Sequence, residues 1–283
     1  MPELSIIIVH YRNPALLKLC LNSILHPGSP EATSETTEII VVDSATTRES
    51  RDMVRENFSK VKLIPVEYNT GYAKGVNIGI NESSGKFILI LNQDTVVSPG
   101  AIDKMVNFIK DRPDIGLLGP QILNLDGSIQ NSCFRYYTPL LIPIRRTFIG
   151  RFKVFKKKVA DFLMADADMN KLQAPDWISG AAMLTTREAV EKVGLMDERF
   201  FFYFEDVDWA KRFWQNGYKV IYYPSAKIYH ALGRGSKSKW GAFDLFFNKK
   251  TRWHIRSALK YFWKHRKKYN ANQRIYANAA NKE

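Results

Sequence analysis

The chain is 283 residues long, 45% hydrophobic and 25% charged, with two cysteines and a formal net charge of +14. That apolar content suffices for a full core and excludes a disordered chain, while two thiols exclude a disulfide framework or a cysteine-rich metal module. The charge is local: Arg145 to Lys158 holds 7 basic residues and no acid, Lys237 to Glu283 holds 13 against Asp244 and Glu283, and the remainder carries a net −4. A nucleic-acid-binding body is disfavoured by that acidic remainder, and an anionic membrane surface is the expected partner of the two basic segments.

In chain order, apolar runs at Leu4 to Val9, Glu38 to Val42, Val61 to Val66 and Lys86 to Leu91 read as strands. Helical patterns alternate with them near Ala15 to Ile24, Thr47 to Phe58, Ala73 to Asn81 and Pro99 to Lys110. Cys20 falls among Leu16, Leu17, Leu21 and Ile24 at helical spacing, which predicts a buried thiol. Strands alternating with helices predict an α/β fold with a parallel sheet covered on both faces, and ligands bind at the carboxyl ends of such strands. The polar residues expected on that edge are Tyr11, Asp43, Asn69 and Asp94.

Past a hairpin expected around Asn124 to Ser128, two basic amphipathic stretches appear. One sets Leu141, Ile144, Phe148, Phe152, Phe155, Val159 and Phe162 three or four residues apart, broken by Pro143 and Gly150. The other runs Phe243, Phe246, Phe247, Ile255, Leu259, Phe262 and Trp263 among Lys249, Lys250, Arg252, Arg256, Lys260 and Lys264. Such helices suit a membrane interface, or else pack an apolar face on the body with a solvated basic side. No apolar run reaches the ~20 residues a bilayer needs, and Met-Pro-Glu-Leu is no signal sequence. The expectation is a cytoplasmic catalytic domain at 1–235, with a basic insert at about 140–165, and a helical extension at 236–283 whose removal after Gly235 largely abolishes membrane binding and spares nucleotide binding, provided the remaining body still folds.

Chemistry-bearing residues cluster in a few places. Phe201-Phe202-Tyr203-Phe204-Glu205-Asp206-Val207-Asp208-Trp209 delivers three carboxylates to a helix start, as complements of the helix dipole or as catalytic acids. Asn69-Thr70-Gly71-Tyr72-Ala73-Lys74-Gly75-Val76-Asn77-Ile78-Gly79 follows a strand and opens a helix, so its glycines could admit phosphates to the backbone. Its spacing and its place after the third strand differ from the dinucleotide-binding fingerprint, which disfavours an NAD enzyme.

Taken in order, Val9-His10-Tyr11-Arg12-Asn13, Val41-Val42-Asp43-Ser44, the Asn69 to Gly79 segment, Leu91-Asn92-Gln93-Asp94, Trp177-Ile178-Ser179-Gly180-Ala181-Ala182 and Glu205-Asp206-Val207-Asp208 resemble glycosyltransferase family 2. The resemblance covers roughly Leu4 to Gly235 and is nearest to bacterial rhamnosyltransferase-like members that build cell-surface polysaccharides. It implies a GT-A fold, a nucleotide-diphosphate sugar donor, Mg²⁺ or Mn²⁺, an inverting mechanism and a glycan or lipid-linked acceptor. On that resemblance Tyr11 and Asp43 hold the nucleotide base, with Asp43 accepting from a pyrimidine imide. Asn69, Lys74 and Asn77 line the nucleotide and diphosphate, with Val9, Asn13, Asn92 and Gln93 alongside. Asp94 and His230 bind the metal, and Asp206, next to Glu205, is the base. Trp177, Gly180, Asp208 and Trp209 face the acceptor or sugar.

The residue types suit that chemistry. A departing diphosphate needs its charge neutralised by a divalent cation, and a carboxylate against Phe201 to Phe204 is expected to have a raised pKa. Gln93 stands where an acid or proline is common in the family, and His10 and Ser44 where asparagines are. Other readings of single residues remain: Asp43 as a helix N-cap, His230 as a core histidine, Trp177 and Trp209 as core, and Gly180 as a point of close backbone approach. The expected donor is dTDP-rhamnose, with another UDP- or GDP-hexose as the second enzyme reading.

Overall fold

A computed structural model of the chain describes residues 2–25, 36–146, 152–231 and 248–266. The apolar runs of the first part form β1 (Leu4–Tyr11), β2 (Thr37–Ser44), β3 (Val61–Val66) and β4 (Phe87–Asn92), joined by α1 (Pro14–Ile24), α2 (Arg48–Asn57) and α3 (Tyr72–Asn81). There follow β5 (Thr95–Val97), α4 (Ala101–Lys110), β6 (Ile115–Leu123) and β7 (Ile129–Gln130). The next elements are β8 (Cys133–Phe134), α5 (Leu141–Arg146), α6 (Lys153–Phe162), β9 (Trp177–Ile178), β10 (Ala182–Thr186) and α7 (Arg187–Val193). Last come α8 (Glu205–Gln215), β11 (Lys219–His230) and α9 (Lys249–Lys264).

The main sheet has the order β3-β2-β1-β4-β10-β6-β11-β5, with β7 beside β6. Strands β1 to β4 are mutually parallel, as the alternation with helices predicts. The second half is mixed: β10 enters antiparallel between β4 and β6, and β5 lies antiparallel to β11. Strand side chains alternate between two cores. Ile6, Ile8, Leu89 and Leu91 meet α1, α2 and α4 on one face, while Ile7, Ile88 and Ile90 meet α3, α7, α8 and α9 on the other. Each fully buried aliphatic side chain here contributes ~1.5–3 kcal/mol of burial, so the two faces hold the sheet between helical layers.

Two expectations change on this face. The glycines of α3 do not open the helix to phosphate: a Cβ at Gly75 would lie 2.7 Å from Val9 Cγ1, and one at Gly79 would collide with Ile7. They let α3 press on β1, which is why the spacing differs from a nucleotide fingerprint. The C-terminal basic helix is no free arm either. Ala258 and Tyr261 of α9 are 3% and 2% exposed and belong to the same core cluster as Phe204, Val207 and Trp209. Removal of everything after Gly235 therefore strips part of that core and is not expected to spare the body. Phe243, Phe246, Phe247, Phe148 and the tail beyond Lys268 lie outside the described residues.

Candidate active site

The parallel strands bring Tyr11, Ser44 and Asn92 to one edge of the sheet. Asp43, one residue earlier, is 0% exposed, and both its oxygens are occupied. His10 Nδ1 lies 2.6 Å from Oδ1, while the Thr46 and Ser50 hydroxyls donate to Oδ2 at 2.5 and 2.6 Å. The Asn13 N–H donates to His10 Nε2 at 3.0 Å, so Nδ1 carries the proton and donates to Asp43. Burial pushes the Asp43 carboxyl up, but the bonds from His10, Ser50 and Thr46 outweigh it and hold it below the ordinary carboxylate range. The expected contact to a pyrimidine imide is thus not open at Asp43, because three protein donors already satisfy it. Nor is it an N-cap: Thr47 caps α2, in a capping box with Ser50.

The three departures from the family pattern have structural jobs. His10 completes the Asp43 network, and the Ser44 hydroxyl accepts from the Thr70 N–H at 2.8 Å. Gln93 clips the end of β1, its Oε1 accepting from the Tyr11 N–H at 2.8 Å and its Nε2 donating to the Tyr11 carbonyl at 3.3 Å. That clip leaves the Tyr11 side chain 44% exposed over the edge. Asn13 accepts from the Leu16 N–H and caps α1, so it is a cap and not a free ligand. Asn69 accepts from the Gly71 N–H, and Lys74 Nζ sits 5.1 Å from the centre of the Tyr68 ring at the mouth of the edge. Val9 and Asn92 are half-buried beside them. Asn77 is corrected: it is 3% exposed and its amide is used by Met196 and Glu198 in the loop before α8.

Asp94 follows β4, and the β5–β11 ladder brings His230 opposite Thr95. His230 Nε2 then lies 3.2 Å from Asp94 Oδ1, and its Nδ1 lies 2.9 Å from Gln130 Oε1. A ring whose Nδ1–H is given to Gln130 aims an imidazole lone pair at a carboxylate oxygen, an arrangement that a cation between them satisfies. An outer carbonyl fixing the tautomer of a ligating histidine is the usual support of such a site. Among the described residues no group of three His, Cys, Asp or Glu side chains surrounds one point, so Asp94 and His230 would leave most of a cation's positions to other ligands.

The acids of α8 separate into two kinds. Asp206 Oδ2 accepts from the Gly180 N–H at 3.1 Å and Oδ1 from the Val207 N–H at 2.9 Å, yet burial pushes the carboxyl up to about 6. Glu205 is 6% exposed, and its Oε2 has no hydrogen-bond partner among the described residues. Burial, then the neighbouring Asp206, raises its pKa well above the usual value. Asp208 is 0% exposed and bound by Arg212, Lys264 and His265, whose bonds and charges outweigh burial and lower its pKa. Asp208 is therefore corrected from an acceptor contact to an anchor between α8 and α9.

Tyr72 was not among the expected site residues, though it lies inside the Asn69 to Gly79 segment. Its hydroxyl donates to the Gly180 carbonyl at 2.6 Å, and burial followed by Glu205, Asp206 and Asp94 raises its pKa well above 10.0. Through Gly180 the phenol is tied to Asp206 at the start of α8. Gly180 supplies backbone on both sides, its N–H to Asp206 and its carbonyl to Tyr72; a Cβ there would meet Asp206 Oδ2 and Tyr72 only at 3.5 Å, so protein packing does not require the glycine. Trp209 and Trp177 are corrected to core: Trp209 is 0% exposed and donates to the Gly194 carbonyl, while Trp177 is 6% exposed, donates to the Arg135 carbonyl and stacks on Phe134 at 4.3 Å.

Just before α8, Tyr203 and Phe204 have φ of 70° and 71°. For bulky residues that conformation costs ~1–3 kcal/mol each and persists only where the surroundings impose it. Here the Phe201 carbonyl accepts from the Tyr72 N–H at 3.0 Å, over Gly71, whose φ of 72° and lack of Cβ admit it.

The half-parallel sheet with helices on both faces is the GT-A fold, which solved structures share. The chain matches over 83% of its length the mannosyltransferase PcManGT from Pyrobaculum calidifontis in complex with GDP-Man and Mn²⁺, with a TM-score of 0.55, 18% identity and 58% of that chain covered. It matches GalNAc-T7 with UDP, GalNAc and Mn²⁺ over 81% of its length, with a TM-score of 0.60, 16% identity and 43% of that chain covered.

The chain belongs to glycosyltransferase family 2: the model for that family matches residues 5–158, and that for glycosyl transferase family group 2 matches residues 87–271. It is 28% identical over 210 residues to an N-acetylglucosaminyl-diphospho-decaprenol L-rhamnosyltransferase of Mycobacterium tuberculosis, covering 70% of this chain and 68% of that one. It is 26% identical over 198 residues to the dTDP-rhamnosyl transferase RfbF of Shigella flexneri, covering 69% and 60%.

Proposed function

We propose that this glycosyltransferase moves a sugar with inversion from a nucleotide-diphosphate donor, dTDP-rhamnose in the first instance, to a hydroxyl of a lipid-linked or nascent glycan. The observation that carries this is the Asp94–His230 pair at 3.2 Å after β4, together with the Asp206 carboxylate held by the Gly180 N–H while the Tyr72 hydroxyl holds the Gly180 carbonyl. The rhamnosyltransferase names of two relatives support the sugar, and the Mn²⁺ of two structural neighbours supports a divalent metal. Asp94 and His230 would hold the ion, which when bound neutralises the departing diphosphate. Asp206 takes the acceptor proton as the acceptor oxygen bonds to the anomeric carbon and the bond to the diphosphate breaks. A carboxyl at about 6 is ionised near neutral pH yet basic enough to serve. Tyr11, Asn69, Lys74, Asn92 and Gln93 line the donor side.

The closed network at Asp43 leaves recognition of the donor's base to other groups. Uracil has the same imide as thymine, so this network does not single out dTDP, and a UDP- or GDP-hexose is the alternative reading of the donor. A thermal-shift screen of nucleotide sugars with Mn²⁺ or Mg²⁺ decides, since a ligand that binds only the native state raises Tm. Asp94→Ala is expected to lose the metal-dependent part of dTDP affinity, and His230→Ala to lose less of it. Calorimetry with unchanged Mn²⁺-dependent affinity in Asp94→Ala would reject the metal assignment.

For location, no helix among the described residues is long and apolar enough to cross a membrane. The outward stripe of α9 carries Arg252 and Arg256 with Leu259 and Trp263, the last two 66% and 65% exposed, and Arg266 follows just past the helix end. On α6 and its start, Lys156, Lys157 and Lys158 are exposed beside Phe152 at 57% and Val154 at 71%. Both helices reach Tyr137, whose ring centre is 4.6 Å from that of Phe162 and 6.2 Å from that of His254. Basic residues near an anionic leaflet are worth about 1 kcal/mol each, which supports peripheral docking on the inner membrane face. Cosedimentation with anionic vesicles is expected to weaken with salt and in the pair Leu259→Ser and Trp263→Ser; equal binding to neutral vesicles, or none, rejects docking.

A further inference from the structure

The loop that presents the acid pair is gripped from two sides, and one of them is the C-terminal helix. From within the sheet domain, the Tyr72 N–H holds the Phe201 carbonyl. From α9, the Ser257 hydroxyl donates to the Phe202 carbonyl at 3.0 Å and Lys260 Nζ to the Arg199 carbonyl at 2.7 Å. The rings follow the same division of labour: Trp253 packs at 5.0 Å on Phe201, His254 at 5.2 Å on both Tyr203 and Phe204, and Tyr261 at 5.3 Å on Phe204. At its far end α9 is pinned by Lys264 and His265 to Asp208, on the helix that begins with Glu205 and Asp206. The strained pair Tyr203 and Phe204 thus sits between α9 and the acids.

We propose that α9 is a positioning element of sugar transfer, in which Ser257 and Lys260 fix the strained loop so that Asp206 meets the acceptor hydroxyl. Neither residue touches the donor or the reacting atoms. They act through backbone carbonyls three and six residues before Glu205, so their effect falls on the placement of the carboxylate. Misplacing a catalytic group by about 1 Å is enough to cost up to ~10²-fold in rate while leaving ground-state binding alone. The proposal rests on the reading of Asp206 as the base.

The test uses the full chain carrying Ser257→Ala and Lys260→Met together, with the nucleotide sugar found active in the screen. The expected result is a kcat lowered about tenfold, a donor KM and a Mn²⁺-dependent dTDP affinity within twofold of wild type, and faster amide exchange at residues 200–206 alone. Lys260→Arg, which keeps a donor to the Arg199 carbonyl, is expected to retain wild-type kcat. Should the double variant fail to fold, Lys260→Met alone carries the same readouts, since this side chain is exposed. Unchanged exchange at residues 200–206 overturns the grip whatever the donor is, and faster exchange with kcat within twofold overturns its link to catalysis. A parallel loss of kcat, dTDP affinity and Tm reduces α9 to packing. Failure of the base reading shows separately, as wild-type turnover in Asp206→Asn with the exchange response intact.

Discussion

Two buried carboxylates at opposite ends of the site are treated in opposite ways. Asp43, at the end of β2, is wholly buried and accepts from His10, Thr46 and Ser50, and its pKa falls. Glu205, at the start of α8, is nearly as buried, has an oxygen without a partner and a like-charged neighbour in Asp206, and its pKa rises. A satisfied carboxylate behaves as a framework element, because moving it out of its bonds costs more than any ligand contact returns. A buried pair of neighbouring carboxyls, with one oxygen left unpartnered on Glu205 among the described residues, stores the desolvation that makes a carboxylate a better proton acceptor. The β1–β2 end of this molecule is a rigid floor, and the α8 end holds the reactive groups under strain.

The largest expected effect tests the floor. Asp43→Ala removes the acceptor of three donors and leaves them buried, at a cost of about 1–3 kcal/mol for each group left unsatisfied. A loss of at least ~3 kcal/mol in denaturant unfolding is expected. A loss under ~1 kcal/mol would show that water replaces the carboxylate and that this end is not rigid.

Next in size is Asp206→Asn at the reactive end. It keeps the shape but not the proton acceptor, and turnover is expected to fall ~10²-fold or more with dTDP affinity nearly intact. The wild-type rate should also fall on the acid side of about pH 6, where Asp206 takes up its proton. Turnover within a few-fold of wild type in Asp206→Asn would remove it as base and leave Glu205 as the remaining acid of the pair.

The contrast between the two ends was only half legible in the sequence. The parallel strands β1 to β4 and the edge they share follow from apolar runs alternating with helical periods, a local signal that survives without knowing the partner strand. Asp94, His230, Glu205 and Asp206 were singled out by residue type and order; Asp94 and His230 lie 3.2 Å apart, and Glu205 and Asp206 open α8. What periodicity carries no trace of is the partner of a polar side chain. Asp208 has the same local context as Asp206 but meets Lys264 and His265 more than fifty residues on, Asn77 meets a loop far along the chain, and Trp209 fills the core. Strand β10, inserted antiparallel between β4 and β6, was missed for the same reason, and the packing face of α9 could be told from its membrane-like face only once Ala258 and Tyr261 were seen inside the core.

The smallest expected effect sharpens the comparison most, because it touches the reactive end without removing the base. The carboxyls of Glu205 and Asp206 both have folded-state pKa values raised above the ~4 of an unfolded chain. Below that range both states are protonated and the native state keeps its full advantage. As pH rises, the unfolded chain releases these protons first, so the contribution is lost through the folded values, Asp206's lying at about 6. Stability is therefore expected to decline from about pH 4 to pH 7 on account of this pair. Glu205→Gln keeps the shape and deletes one of the two charges, and should flatten that decline, raising Tm by a few degrees at about pH 8 while changing it little at about pH 4. Asp43→Asn is the matched control with the opposite sign, since a carboxylate whose pKa is lowered by its donors stabilises above the unfolded value and its loss lowers Tm at about pH 8. Parallel Tm–pH curves for wild type and Glu205→Gln would mean that Glu205 keeps a partnered charge, and the two ends of the site would then be built alike.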